Sequence, residues 1–204
     1  MRVVLLAYTP NAERLCCAAA KLCHEKEERD FMEMYEGLSD KHVRAVLRTV
    51  LKLGHESVIE HASFTFYIEG VSRALTHQLV RHRIASYSQQ SQRHVTLKNF
   101  GYVVPDSIKE NEELAKRYED VMNYLAKEYD EFLKKVPKED ARYVLPNACT
   151  TKIVVTMNAR ELRHFFRLRC EKSAQWEIRK LAREMLRLCK EVAPLLFEDI
   201  ECED

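Results

Sequence analysis

What this sequence does without narrows it quickly. Only four glycines occur among its 204 residues (Gly37, Gly54, Gly70 and Gly101), too far apart for a GxGxxG turn or a Walker-type loop. Backbone amides of a glycine-rich turn therefore cannot cradle a phosphate here, and side chains must meet it instead. The seven cysteines (Cys16, Cys17, Cys23, Cys149, Cys170, Cys189 and Cys202) are odd in number, scattered and never spaced CxxC. That argues against a disulfide framework and a structural zinc, and it fits a reducing cytoplasm. Long apolar runs are missing too: none approaches the roughly 20 residues that span a bilayer, and the short run at residues 3–7 precedes no small-residue cleavage site. Net charge is nearly absent, with 33 basic against 32 acidic residues. The molecule as a whole has no field to draw in nucleic acid or an acidic membrane, so any anion site is local.

The most telling absence is of acid. Residues 71–100 contain no Asp or Glu in a chain where about one residue in six is acidic, yet they carry Arg73, Arg81, Arg83, Arg93, Lys98, His77, His82 and His94. Like charges 4 Å apart repel by about 4 kcal/mol at an effective dielectric near 20, so such a cluster calls for an anionic partner. Phosphate fits, because arginine forks bind it bidentately and each charge-assisted hydrogen bond contributes roughly 1.5–3 kcal/mol. Ser86, Ser88, Gln89, Ser91 and Gln92, interleaved with these cations, supply neutral donors and acceptors suited to a sugar or a base edge. A second basic segment, NARELRHFFRLR at residues 158–169, holds four arginines, His164 and one Glu. On a helix its Arg160, His164 and Arg167 share a face, while Phe165, Phe166 and Leu168 are expected to seat it on the core. Arg142 stands apart as a third outlier.

What is present organises into one domain over residues 1–204, of mixed α+β class, because strands and helices alternate without a βαβ rhythm. Strands are predicted at residues 2–8, 62–69, where Phe64, Phe66 and Ile68 alternate with polar residues, and 152–157. Helices are predicted over 11–26, from Asp40 as cap to Gly54, over 71–80 running on into the basic stretch, over 106–135, from Asn158, and over a last segment ending at Pro194. In that last helix Ile178, Leu181, Ala182, Met185, Leu186, Cys189 and Val192 form the buried stripe, with Arg179, Arg183 and Arg187 on the wet face.

RHR, then IASYSQQ, then Ser91 and Arg93 resembles the signature of the flavin-dependent thymidylate synthases. GHESVIEH at 54–61 with the FTF strand, QLVRHR, ARYVLP at 141–146, and NARELRHFFRLR followed by SAQWEIR are similar to that family in order and spacing. The resemblance implies an enzyme making dTMP from dUMP, with methylenetetrahydrofolate as carbon donor, FAD as hydride carrier and NADPH as reductant. It also implies a cytoplasmic homotetramer with active sites shared between subunits, with no nucleic acid and no membrane among its partners. By the same resemblance, Arg81, His82, Arg83, Gln89, His55, Ser57, Asn158, Arg160 and His164 would hold the flavin. Gln78, Arg81, Gln89, Gln90, Ser91, Gln92, Arg93 and Arg142 would surround dUMP. Arg169 would sit at the uracil edge and favour the charge that develops as the ring attacks the one-carbon unit.

The residues also admit plainer readings. Ser91 has no neighbouring Ser-His-Asp set and is a binding serine rather than a nucleophile. His55, Glu56, Glu60 and His61 match neither HExxH nor HxxEH, so no metal is expected. Cys149 and Cys170 lie in no recognisable motif and read as buried cysteines. Where the family pattern varies, Gln89 replaces an acid, His94 replaces a tyrosine, and Cys23 stands where a residue near the flavin is expected. The rival function is a nucleic-acid-binding module that uses Tyr87, Phe100 and Tyr102 as stacking platforms.

Overall fold

In the computed structural model, which describes residues 1–25 and 30–202, period-2 alternation governs the strand Ser63–Ser72 (β2). Phe64, Phe66 and Ile68 are fully buried, whereas Ser63, Thr65, Tyr67 and Glu69 keep some exposure. With Arg2–Tyr8 (β1), Ala85–Gln89 (β3) and Thr150–Asn158 (β4) it forms a four-stranded antiparallel sheet in the order β1-β2-β4-β3. The register shows the antiparallel sense. Arg2 pairs with Glu69 and Thr9 with Ser63 across β1 and β2, while Thr65 meets Thr156 and Arg73 meets Cys149 across β2 and β4. The class is α+β.

Caps explain where the helices depart from the periodicity. β2 continues past Glu69 to Ser72, whose hydroxyl accepts the Leu75 N–H at 2.9 Å and starts α4 (Arg73–Leu79) two residues later than predicted. The predicted helix over 106–135 is two, α5 (Asp106–Lys109) and α6 (Glu112–Leu133), because Asn111 caps the second by accepting the Leu114 N–H. Ala12–Leu22 (α1) stops short of the predicted end, and residue 26 lies outside the described residues. Phe31–Glu36 (α2), capped by Asp30, was not foreseen. Asp40–Lys52 (α3) is capped by Ser39 rather than Asp40, and it ends before Gly54, whose φ of +74° is the left-handed conformation that closes a helix. Lys138–Ala141 (α7), Ala159–Arg169 (α8) and Trp176–Val192 (α9) complete the longer elements.

The chain divides into two compact units. One comprises Val3–Tyr67, His82–Tyr87 and Val155–Asp204. Its core is a run of edge-to-face aromatics in which Phe165 packs on Phe166, Phe166 on Phe197 and Phe197 on Phe64, at centroid distances of 5.6, 5.8 and 5.6 Å. α9 adds Ile178, Leu181, Ala182, Met185, Leu186 and Cys189, all buried, but Val192 is only half-buried, and so are Arg179 and Arg183. Leu168 does not seat α8 on this core: it is 47% exposed, since α8 already turns Leu162, Arg163, Phe165 and Phe166 inward. The other unit comprises Met1–Arg2, Ile68–Arg81 and Ser88–Val154, with Phe100, Met122 and Cys149 at its centre and Leu97, Tyr102, Tyr118 and Leu145 around them.

One covalent link corrects the sequence reading. Cys170 and Cys202 form a disulfide with Cα atoms 4.7 Å apart, tying the end of α8 to a segment 32 residues further on. Number and spacing speak to a multi-bridge framework, and a single bridge between distant residues leaves no such trace.

Candidate active site

α8 begins where the Asn158 side chain accepts the Glu161 N–H at 2.9 Å, so that the last residue of β4 caps the helix. From this start Arg160, His164 and Arg167 fall on the exposed face, as their spacing predicts. Arg160 donates to Glu60 at 2.6 Å, and Arg167 contacts Glu56 at 3.0 Å. Arg163, on the opposite face, is fully buried, with its guanidinium on the Leu196 carbonyl, on both oxygens of Asp199 and on Glu56.

Arg160 also lines a cavity of about 1160 Å³ together with His55, Ser57, Cys23 and His24, facing an apolar wall that includes Val46, Val50, Leu53 and Val58. The stripe of α3 is thereby divided: Val43 and Leu47 go to the core, while Val46 and Val50 go to the cavity. Three predicted cofactor residues thus share one cavity, and Cys23 is with them. The mixture of apolar wall, hydroxyl, imidazole and guanidinium suits a planar ring that carries phosphates.

The RHR segment follows α4 through a turn in which the Arg81 N–H donates to the Gln78 carbonyl, and its side chains alternate in exposure. Arg81 and Arg83 point to solvent while His82, 4% exposed, turns inward. Its Nδ1 lies 3.1 Å from Glu161 Oε1, and its Nε2 lies 3.2 Å from Arg169 Nε. The ring stands edge-on to Phe165 at 5.0 Å, and the Tyr87 hydroxyl donates to the His82 carbonyl at 2.7 Å. Burial, then the nearby Arg169 and His164, push the imidazole pKa down to about 4, so the ring is neutral at pH 7.

In the other unit, two of the predicted nucleotide residues meet at Glu139. Arg93 pairs with its carboxylate at 3.4 Å, and Arg142 donates to its carbonyl at 3.0 Å. Two arginines 49 positions apart are thereby held by one residue. Ser91 accepts the Arg93 N–H at 3.2 Å and fixes that turn. Gln89 spends its amide on Thr76 at 3.0 Å and Thr151 at 3.3 Å, leaving its carbonyl oxygen for another partner. Gln78, Gln90 and Gln92 are all partly exposed in this same unit. Arg73 is half-buried, and burial, then the charge of Arg142, lower its pKa.

Several partners escaped the sequence reading. Glu139, Glu56, Glu60 and Glu161 each hold an arginine or histidine of the site, and all come from segments where an acid is unremarkable. Glu56 and Glu60 stand out in the sequence only as metal candidates, and none of the four is paired in advance with its arginine or histidine.

The stacking platforms of the rival reading are turned inward. Phe100 is 8% exposed in the core, Tyr102 packs edge-on to Tyr118, and the Tyr87 hydroxyl is engaged. Glu56 and Glu60 face arginines, and among the described residues no group of three or more His, Cys, Asp or Glu is placed to hold a metal. Burial pushes the Cys149 thiol up to about 12, far from a nucleophile's range. Among the described residues, no helix is long and apolar enough to cross a membrane.

These features define an α+β protein that carries clustered guanidinium and imidazole groups and no glycine-rich loop. Residues 4–195 match the family described as thymidylate synthase complementing protein. The chain is 55% identical over 202 residues to a flavin-dependent thymidylate synthase of Geobacter sulfurreducens, covering 98% of this chain and 86% of the relative. It is 49% identical over 215 residues to one of Clostridium tetani, covering 97% and 86% respectively. With one of Pyrococcus abyssi the identity is 48% over 191 residues, covering 91% and 78%. The chain belongs to the flavin-dependent thymidylate synthase family and is an enzyme of that class.

Proposed function

We propose that the protein makes dTMP from dUMP by reductive methylation, using methylenetetrahydrofolate as the one-carbon donor and NADPH as reductant. FAD is the cofactor, and when bound it supplies the hydride. The observation that carries this reading is the cavity shared by His55, Ser57 and Arg160, whose apolar wall and polar groups match a flavin ring with its phosphates. Asn158, His164, Arg81, Arg83 and Gln89 complete the flavin set; His82, expected there by resemblance, has both ring nitrogens engaged by Glu161 and Arg169 and supports the site from behind. Asn158 keeps its amide N–H groups for this role, its oxygen being used in the cap.

For dUMP, Arg93 and Arg142 clamp the phosphate, Ser91 and the glutamines Gln78, Gln89, Gln90 and Gln92 meet sugar and base, and Arg81 serves the nucleotide as well as the flavin. Arg169 is the catalytic residue. Its guanidinium sits at the uracil edge and stabilises negative charge developing on the ring. The enzyme works in the cytoplasm as a homotetramer with active sites shared between subunits, which light scattering would report as about four times the 24.0 kDa chain mass.

The test is direct. Purified protein is yellow with flavin absorbance, loses that colour on anaerobic reduction by NADPH, and releases tritium from uracil-labelled dUMP only when methylenetetrahydrofolate is present. Arg169→Ala retains the flavin and loses most turnover. A colourless protein that binds no added FAD would overturn the cofactor assignment. A yellow protein without tritium release would overturn the reaction.

A further inference from the structure

We propose that Glu161 and His82 are positioning residues that aim the Arg169 guanidinium, with Glu161 acting by fixing the tautomer of the His82 ring. This rests on the reading of Arg169 as the group at the uracil edge. The three side chains form one line of contacts: Glu161 Oε1 to His82 Nδ1 at 3.1 Å, and His82 Nε2 to Arg169 Nε at 3.2 Å. Glu161 and Arg169 lie two helical repeats apart on α8, with Phe165 between them packing against the imidazole edge. The ring is 4% exposed and Glu161 6%, so water does not compete for either bond.

Donor counting assigns the protons. A guanidinium has N–H groups and no acceptor, so the Arg169 Nε–H donates and His82 Nε2 carries the lone pair. A neutral imidazole with a lone pair on Nε2 holds its hydrogen on Nδ1, and Glu161 therefore accepts. This holds whether the Glu161 carboxyl is ionised or protonated. Its contribution is an acceptor at a fixed place, and no proton moves along the line.

The consequence falls on Arg169. Its Nε–H is committed to His82, and its terminal nitrogens donate to no group among the described residues. A guanidinium is planar, so fixing Nε and its bond direction fixes the plane in which the four remaining N–H groups point. A half-buried arginine that would otherwise sample many rotamers becomes a directed fork before substrate arrives, which is where electrostatic preorganisation takes effect. Were the ring hydrogen on Nε2, two donors would face each other, and Arg169 would turn away.

The experiment uses the flavin-loaded enzyme with Glu161→Gln and Glu161→Leu. In Gln the amide oxygen still accepts from Nδ1–H, so turnover stays within about fivefold of the parent, the difference between a charged and a neutral acceptor. In Leu the acceptor is gone, and kcat for tritium release falls about 10- to 100-fold, the usual loss when an orienting partner is removed, with a smaller change in KM. Nitrogen-15 spectra of histidine-labelled protein report His82 as the Nδ1–H tautomer in the parent and in Glu161→Gln, and as a mixture or the Nε2–H form in Glu161→Leu. A merely structural Glu161 would not move that signal. Parental turnover in Glu161→Leu, a Gln variant as poor as Leu, or an Nε2–H ring in the parent would each overturn the proposal. The last of these needs no variant to fold and no activity. Absence of tritium release from the parent would instead sink the reading of the reaction, which keeps the two failures distinct.

Discussion

Arg163 offers the sharpest energetic test of this structure. It is fully buried, and its guanidinium donates to the Leu196 carbonyl at 2.6 Å, to Asp199 Oδ1 and Oδ2 at 2.6 Å each, and to Glu56 at 3.4 Å. Replacing it by Met keeps most of the stem and deletes the donors. The Leu196 carbonyl is then left unpaired in the interior, at a cost of about 1–3 kcal/mol. Asp199 is 51% exposed, so water takes over as its partner, and after screening its share is about 1 kcal/mol or less. Glu56 keeps Arg167 at 3.0 Å and loses little. The expected loss for Arg163→Met is therefore roughly 1–4 kcal/mol in urea unfolding at pH 7, most of it from the carbonyl, while Asp199→Asn loses about 1 kcal/mol or less. pH adds an independent arm. Arg163 holds the Asp199 carboxyl below its usual range, so its contribution is complete above about pH 4 and is lost as pH falls through the folded-state value. Arg163→Met flattens that acid limb. Equal destabilisation by Arg163→Met and Asp199→Asn would refute the assignment of the main cost to the stranded carbonyl, and an unchanged acid limb would refute the Asp199 pairing.

Three further outcomes follow from other contacts. Arg160 is exposed and bound to Glu60 at 2.6 Å, so Glu60→Gln frees it for the flavin phosphates and tightens FAD binding to apoprotein about two- to fivefold at low salt; weaker binding in a fluorescence titration would show that Glu60 assists the cofactor instead. Arg142→Lys loses the planar fork and raises the dUMP Kd about tenfold by calorimetry, whereas an unchanged Kd would remove Arg142 from the nucleotide set. Burial pushes Cys16 and Cys149 up to about 12, so at pH 8 roughly one in ten thousand of these thiols is ionised, and iodoacetamide labels exposed Cys23 first by mass spectrometry; early modification of Cys149 would contradict its burial.

Strong periodicity made some of this fold legible in advance. β2 and α9 each bury a continuous stripe, and a stripe is what a sequence displays. β3 did not show because ASYSQ has no apolar alternation; its strand conformation comes from lying beside β4, where Gln90 N–H donates to the Lys152 carbonyl. The split of the 106–135 helix turned on one side chain, Asn111, able to cap within a pattern that reads as continuous. At the site, the cations were legible through the missing acids, and their partners were not. A carboxylate at residue 139 or 161 is ordinary in sequence and becomes notable only when folding brings it to Arg93 or His82.

That distinction bears on how the site works. The acid-free stretch of residues 71–100 is not without counter-charge in space, because acids from elsewhere in the chain supply it. Burial decides what each of those acids does. Arg93 and Glu139 are 56% and 54% exposed, a pairing worth little in water; in the role proposed for Arg93, a phosphate with more charge and better fork geometry would displace the glutamate at small cost. His82 and Glu161 are 4% and 6% exposed, and breaking their bond would strand two polar groups away from solvent, so that contact is the one expected to persist with a ligand bound. On the proposed assignment, the exposed carboxylates hold arginines in place until substrate replaces them, whereas the buried one stays and sets a direction. The same chemical pair, acid with base, serves as an exchangeable partner in one place and as fixed support in another, with solvent access making the difference.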